Sequence, residues 1–127
     1  VQRLYSIGLT PDWWKLPPSA NAATWRRIGD LVRTHDELAR GIMVLGLDAP
    51  EAQLGAAFVV AAQEPLVRGF AVGRTIFWAT AEKWFGAMIS DSEAVGEIAA
   101  SYRRIIGHWR RVRPVRGDGL ARANLAP

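Results

Sequence analysis

At 127 residues the chain suffices for one compact domain, but it is well short of the roughly 250 residues of a complete eight-stranded (β/α) barrel, so any barrel-like architecture here is partial. Half of it is hydrophobic and none of it is cysteine, which excludes disulfides, thiolate metal sites and cysteine nucleophiles, and His35 and His108 lie too far apart to found a metal site alone. The net charge of +4 belongs to the end of the chain, where Arg103, Arg104, Arg110, Arg111, Arg113, Arg116 and Arg122 face only Asp118; this fits a solvated, arginine-rich last helix, and neither metal nor nucleic acid is expected as a partner.

Val1 to Pro11 reads as the end of a helix around Leu4 and Tyr5 that passes through Gly8 into a turn at Thr10 and Pro11. A chain that opens this way is expected to have lost its beginning. Asp12 to Leu16 (DWWKL) is a short aromatic-rich run closed by Pro17 and Pro18, which cannot donate to a sheet ladder, and it fits a buried strand. Alternation then places Trp13 and Lys15 on one face, with Trp14 and Leu16 on the other. Ser19 and Asn21 are candidate caps for a helix in which Trp25, Ile28 and Val32 recur at helical spacing, with Arg26, Arg27, Asp30 and Arg33 as its wet face.

Gly41 to Leu47 (GIMVLGL) is a continuous apolar run, the pattern of a strand covered on both faces. Asp48, Pro50 and Glu51 predict an acidic N-cap, a first-turn proline and a capping glutamate for the next helix, whose buried stripe is Leu54, Ala57, Phe58 and Ala61. Beyond Pro65, Val67 to Val72 (VRGFAV) supplies the third apolar run, followed at once by Gly73 and Arg74. Thr75 to Met88 is expected to be a helix with Ile76, Ala79, Trp84 and Phe85 among its apolar positions. Ser90 and Glu93 form a capping box for the last helix, along which Val95, Ile98, Tyr102, Ile105, Trp109 and Val112 keep phase. From residue 114 onward, proline, glycine and arginine without periodicity predict a disordered tail, leaving 1–113 as the folded domain. The six tryptophans fall mostly on apolar faces and are expected in the core; Trp13 alone is placed to line a pocket.

The order β, α, β, α, β, α, α predicts right-handed crossovers and a parallel sheet, open or closed into a barrel. In either case ligands bind at the C-terminal ends of the strands, here Lys15 to Pro18, Gly46 to Asp48, and Gly73 to Thr75. Lys15 is one of only two lysines among 16 Lys and Arg residues. Burial at a strand end favours the neutral amine, the form that attacks a carbonyl to give a Schiff base. A lysine whose stem lies along tryptophan while its ammonium reaches solvent or a carboxylate fits the same position. Gly73 and Arg74 combine close backbone approach, a helix N-terminus and a guanidinium fork, which suits phosphate; an ordinary strand-to-helix turn carries the same residues. Gly46 stands at the equivalent end of the neighbouring strand, where it either admits the same phosphate or relieves crowding. Asp48 is expected to cap a helix before it does any chemistry, and Lys83 to be a surface residue. No Gly-x-Gly-x-x-Gly, Walker loop or Gly-x-Ser-x-Gly occurs, so no cofactor is expected. The longest apolar run, Gly55 to Ala62, is too short to span a bilayer and no signal segment opens the chain, which predicts a cytoplasmic protein without a membrane partner. Three parallel strands leave two edges, so association between copies is expected unless another chain covers them.

Taken together, DWWKL, GIMVLGLDAPEA and VRGFAVGRTIF resemble the domain fused to the C-terminus of many bacterial 5-dehydro-2-deoxygluconokinases of myo-inositol catabolism, a domain similar to class I tagatose-bisphosphate aldolases. The resemblance covers nearly the whole chain up to Val112. It implies an α/β fold that is the C-terminal part of a (β/α)8 TIM barrel: the sixth, seventh and eighth strands in three parallel βα units, then a long C-terminal helix. It also implies a lyase acting on a phosphorylated keto sugar acid, 6-phospho-5-dehydro-2-deoxygluconate, with kinase activity in a separate upstream domain. The lysine of an Asp-x-x-Lys strand motif, Lys15 after Asp12, is then the Schiff-base residue, and Gly73 and Arg74, with Gly46 beside them, hold the phosphate. The related aldolases commonly carry a glutamate two residues beyond that lysine, where Pro17 stands here, so proton transfer by that carboxylate does not carry over. The partners implied are the substrate, the upstream kinase domain or rest of the barrel, and further copies of the chain. The alternative is a non-catalytic domain that stabilises or assembles the kinase, with Lys15 held in an ion pair.

Overall fold

The three apolar runs become the strands of one parallel sheet in the computed structural model, which describes residues 1–113; the expected disordered tail lies outside the described residues. A short helix α1 (Gln2–Tyr5) precedes β1 (Trp13–Leu16), and the chain continues through α2 (Ala22–His35), β2 (Gly41–Leu45), α3 (Glu51–Ala61), β3 (Val67–Ala71), α4 (Arg74–Phe85) and α5 (Asp91–Val112). Strand order is β1-β2-β3, both pairings parallel, as the alternation of strands and helices requires.

One face of the sheet carries the core. Trp14, Ile42, Val44 and Val67 are buried against Trp25 and Val32 of α2, Leu54 and Phe58 of α3, and Ile105 and Trp109 of α5. Phe58 sits at the centre of an aromatic group, 5.2 Å from Phe70 and 5.4 Å from Trp109 between ring centres. Arg68 is an extra residue on β3, since Val67 pairs with Ile42 and Gly69 with Met43. That bulge lets Val67 and Phe70 both face the core. The opposite face presents Trp13, Lys15, Met43 and Leu45, which are exposed or half-buried, and none of them joins the core.

Local capping follows the sequence at two helices. Asn21 accepts a hydrogen bond from the Ala23 N–H at 2.8 Å, and Ser90 with Glu93 closes a reciprocal capping box on α5. At α3 the expectation fails: the cap position is Pro50, and Asp48 caps nothing. Leu47 and Asp48 both have positive φ, 50° and 60°, in a tight turn closed by the Ala49 N–H donating to the Gly46 carbonyl. The left-handed turn carries Asp48 off the end of α3.

The last two helices also depart from the expected faces. Along α5 the buried line is Ala94, Ser101, Ile105 and Trp109, whereas Val95 and Tyr102 are exposed. The helix packs on α3 and α4 together, and the small side chains of Ala94 and Ser101 suit close approach. In α4 only Thr80 is buried, while Trp84 and Phe85 face outward, because α4 leans on α5 rather than on the sheet. Of the six tryptophans, Trp14, Trp25 and Trp109 are in the core and Trp13, Trp78 and Trp84 are exposed. No helix among the described residues is long and apolar enough to cross a membrane.

Candidate functional site

Gly46, Gly73 and Arg74 meet where the sequence puts them, at the C-terminal ends of β2 and β3. With Leu45, Leu47, Asp48, Ala71, Thr75 and Phe77 they line an open depression of about 350 Å³. A Cβ on Gly46 would lie 3.0 Å from Val72 and 3.4 Å from the Thr75 hydroxyl, so glycine serves the close approach of the two strand-end loops. The Thr75 hydroxyl ties those loops together by donating to the Ala49 carbonyl at 3.1 Å. No side chain caps α4, so the Arg74 and Thr75 N–H groups at its start have no side-chain acceptor, while the Ile76 N–H donates to the Gly73 carbonyl at 2.7 Å.

Arg74 is not alone there. Its Nε lies 2.8 Å from a carboxylate oxygen of Asp48, and both side chains are about half exposed. An ion pair this exposed contributes little to stability and exchanges readily for a stronger anion. Local sequence pattern gives no sign of this pair, because the residues belong to different βα loops that become neighbours only through parallel pairing of β2 and β3.

Lys15 lies apart from this depression but on its side of the sheet. Register places Lys15 beside Met43, and Met43 beside Gly69, in one row across the open face; Leu45 and Ala71, in the floor of the depression, form the next row. Strand geometry puts the Cα atoms of Lys15 and Leu45 about 8 Å apart, within reach of an extended lysine. Lys15 has no ion-pair partner among the described residues, and it does not face the helices. Neighbouring Asp12 pairs with Arg40 instead, at 3.4 Å.

A larger groove, of about 490 Å³, runs between the start of α3 and the facing sides of α4 and α5. Lys83 joins Glu97 across it at 3.1 Å, and Thr80 donates to the same carboxylate at 3.0 Å. At its other end Glu51 accepts from Arg104 at 3.1 Å and from His108 Nε2 at 3.0 Å. Arg111 contacts His108 Nδ1 at 2.8 Å, on the side of the ring away from Glu51. Burial pushes the Glu51 carboxyl up, but the hydrogen bonds from Arg104 and His108 outweigh it and hold the group below its ordinary value. Its stabilising contribution is therefore fully present above the unfolded value of about 4.3 and lost as pH falls through the lower folded value. Urea midpoints should drop across that acid window, and Glu51→Gln should remove part of the drop. Among the described residues no three His, Asp or Glu side chains converge to hold a metal ion.

No curated protein and no solved structure matches the chain. Residues 1–113, all that the structure describes, match the family described as "Uncharacterized protein conserved in bacteria (DUF2090)". The chain therefore belongs to the DUF2090 family.

Proposed function

We propose that this chain supplies the sixth to eighth βα units of a (β/α)8 barrel and acts there as an aldolase-like lyase on a phosphorylated keto sugar acid. The observation that carries the reading is the placement of Lys15: on the helix-free face of the sheet, without an ion-pair partner among the described residues, one row beneath the depression formed by Gly46, Gly73 and Arg74. Two further features support it. The uncapped start of α4 and the Arg74 guanidinium suit a phosphate, and Asp48 holds Arg74 in place until the phosphate takes over.

The chemistry follows from 6-phospho-5-dehydro-2-deoxygluconate as substrate. The Lys15 amine condenses with the C5 ketone, losing water, and the resulting iminium draws electrons from the C3–C4 bond. Loss of the C3 hydroxyl proton to a base breaks that bond, releasing a three-carbon aldehyde acid. Protonation of the enamine and hydrolysis then free dihydroxyacetone phosphate and regenerate Lys15. The Schiff base is itself the electron sink, so the reaction needs no cofactor. In this reading the protein works in the cytoplasm, joined to an upstream kinase domain and to the rest of the barrel.

Product analysis on the full-length protein tests the proposal: cleavage should give one three-carbon phosphate and one three-carbon acid in equal amounts. Arg74→Ala should raise KM for the phosphorylated substrate roughly 10- to 100-fold with a much smaller change in kcat, and Arg74→Lys should recover only part of the loss because it restores charge without the fork. An unchanged KM in Arg74→Ala would remove the phosphate assignment.

A non-catalytic, assembling role is the second reading, and it has an observation of its own. Strands β1 and β3 are both edges of the sheet among the described residues.

A further inference from the structure

Helix α4 carries its large apolar side chains on the wrong side for a helix that packs on its own domain. Phe77 is 38% exposed, Trp78 53%, Trp84 43% and Phe85 77%, and Met88 just beyond the helix is 68% exposed. The face turned toward α5 is instead polar at Thr80 and Lys83, both engaged with Glu97. At 100° per residue, Phe77, Trp78, Ala81, Trp84 and Phe85 fall on one stripe. Aromatic side chains of this size leave on the order of 500 Å² uncovered, at the upper end of what a monomer shows and about two-thirds of what one partner contributes to an ordinary interface.

The stripe also has a symmetry that identifies its occupant. Read outward from Ala81, the residues repeat in both directions: Trp78 and Trp84 three positions away, Phe77 and Phe85 four positions away. A two-fold contact needs a surface complementary to itself, and an antiparallel pair of identical helices crossing at Ala81 has one. Such a pair sets Phe77 of each copy against Phe85 of the other, and Trp78 against Trp84. The row Phe77, Ala81, Phe85 and the row Trp78, Ala81, Trp84 are the two side-chain ridges by which helices pack, and they intersect at the smallest residue of the stripe. A partner of different sequence would need no such mirror pattern.

We infer that α4 is the two-fold contact of a homodimer of this chain, with Ala81 on the symmetry axis. The contact is argued from α4 alone; Phe77, at one end of the stripe, also lines the depression beside Gly73 and Arg74. Because these 127 residues contain no cysteine, Ala81→Cys introduces the sole thiol among them. In the full chain, mild oxidation of that variant should yield a disulfide-linked dimer at least about tenfold faster than Arg27→Cys, placed on the exposed face of α2. Ala81→Arg, which brings like charges together on the axis, should weaken dimerisation by at least about 100-fold in sedimentation equilibrium. Circular dichroism identifies any loss of fold in that variant, and the cysteine pair, with its smaller change, then decides alone. A wild-type chain that stays monomeric at 100 μM, a dimer indifferent to Ala81→Arg while folded, or equal oxidation rates for the two cysteine variants would overturn the inference; any of these leaves the stripe to another part of the polypeptide or to a different protein.

Discussion

Lys15→Ala should remove aldol cleavage by at least roughly a thousandfold in the full-length protein while leaving its unfolding midpoint in place. Both halves of that expectation come from the same geometry. The side chain projects from the open face of the sheet, outside the core and without an ion-pair partner among the described residues, so folding makes little use of it. Its amine is free to meet a carbonyl over the row formed with Met43 and Gly69. Lys15→Arg should be as inactive as alanine, since a guanidinium keeps its proton and forms no imine under these conditions. An assembling role for the domain predicts the reverse: full activity in Lys15→Ala, with any loss appearing in stability or association.

The largest expected effect on stability lies elsewhere, at Gly29 on α2. Glu64 is buried to 3% exposure just after α3, where its carboxylate accepts from Arg33 at 2.8 Å and from the Leu66 N–H at 3.1 Å. A Cβ at Gly29 would stand 2.4 Å from the Glu64 carboxyl carbon. Contact that close forces the carboxylate off both donors or pushes α2 away from α3. Gly29→Ala should therefore cost about 2–4 kcal/mol in urea unfolding, despite alanine's better helix propensity. Glu64→Ala should cost about 1–2 kcal/mol, through loss of the Arg33 contact and of the acceptor for the part-buried Leu66 N–H. The two losses should not add, because with the carboxylate gone the methyl introduced at position 29 meets empty space; a coupling of at least about 1 kcal/mol is expected in the double-mutant cycle. Additive losses would show that the two residues do not touch in solution.

The reasons some features were legible in the sequence and others were not are physical. Continuous apolar runs marked β2 and β3 because, apart from the bulged Arg68, both faces of those strands are at least half covered, and the alternation with helices dictated parallel order. The capping box at Ser90 and Glu93 was legible because its partners lie three residues apart. Asp48 was misassigned by the same local logic. The spacing of Asp48, Pro50 and Glu51 imitates a helix start, but two successive left-handed residues turn the carboxylate toward Arg74, a residue of the next loop. Glu64 and Gly29 gave no signal, since they meet only when α2 packs on α3. Periodicity located α4 and α5 but not their buried sides; amphipathic phase fixes a face, and the neighbour that covers it is a matter of tertiary packing. Among the candidate site residues, Gly46, Gly73 and Arg74 do share one depression, with Lys15 in the adjoining row rather than in its wall.

Borohydride trapping tests the central claim most directly. The full-length protein, incubated with 6-phospho-5-dehydro-2-deoxygluconate and reduced, should carry a stable adduct of the keto sugar acid or its three-carbon phosphate on the peptide containing Lys15, and no adduct in Lys15→Ala. Sustained cleavage with no adduct on Lys15, or trapping on Lys83 instead, would contradict it.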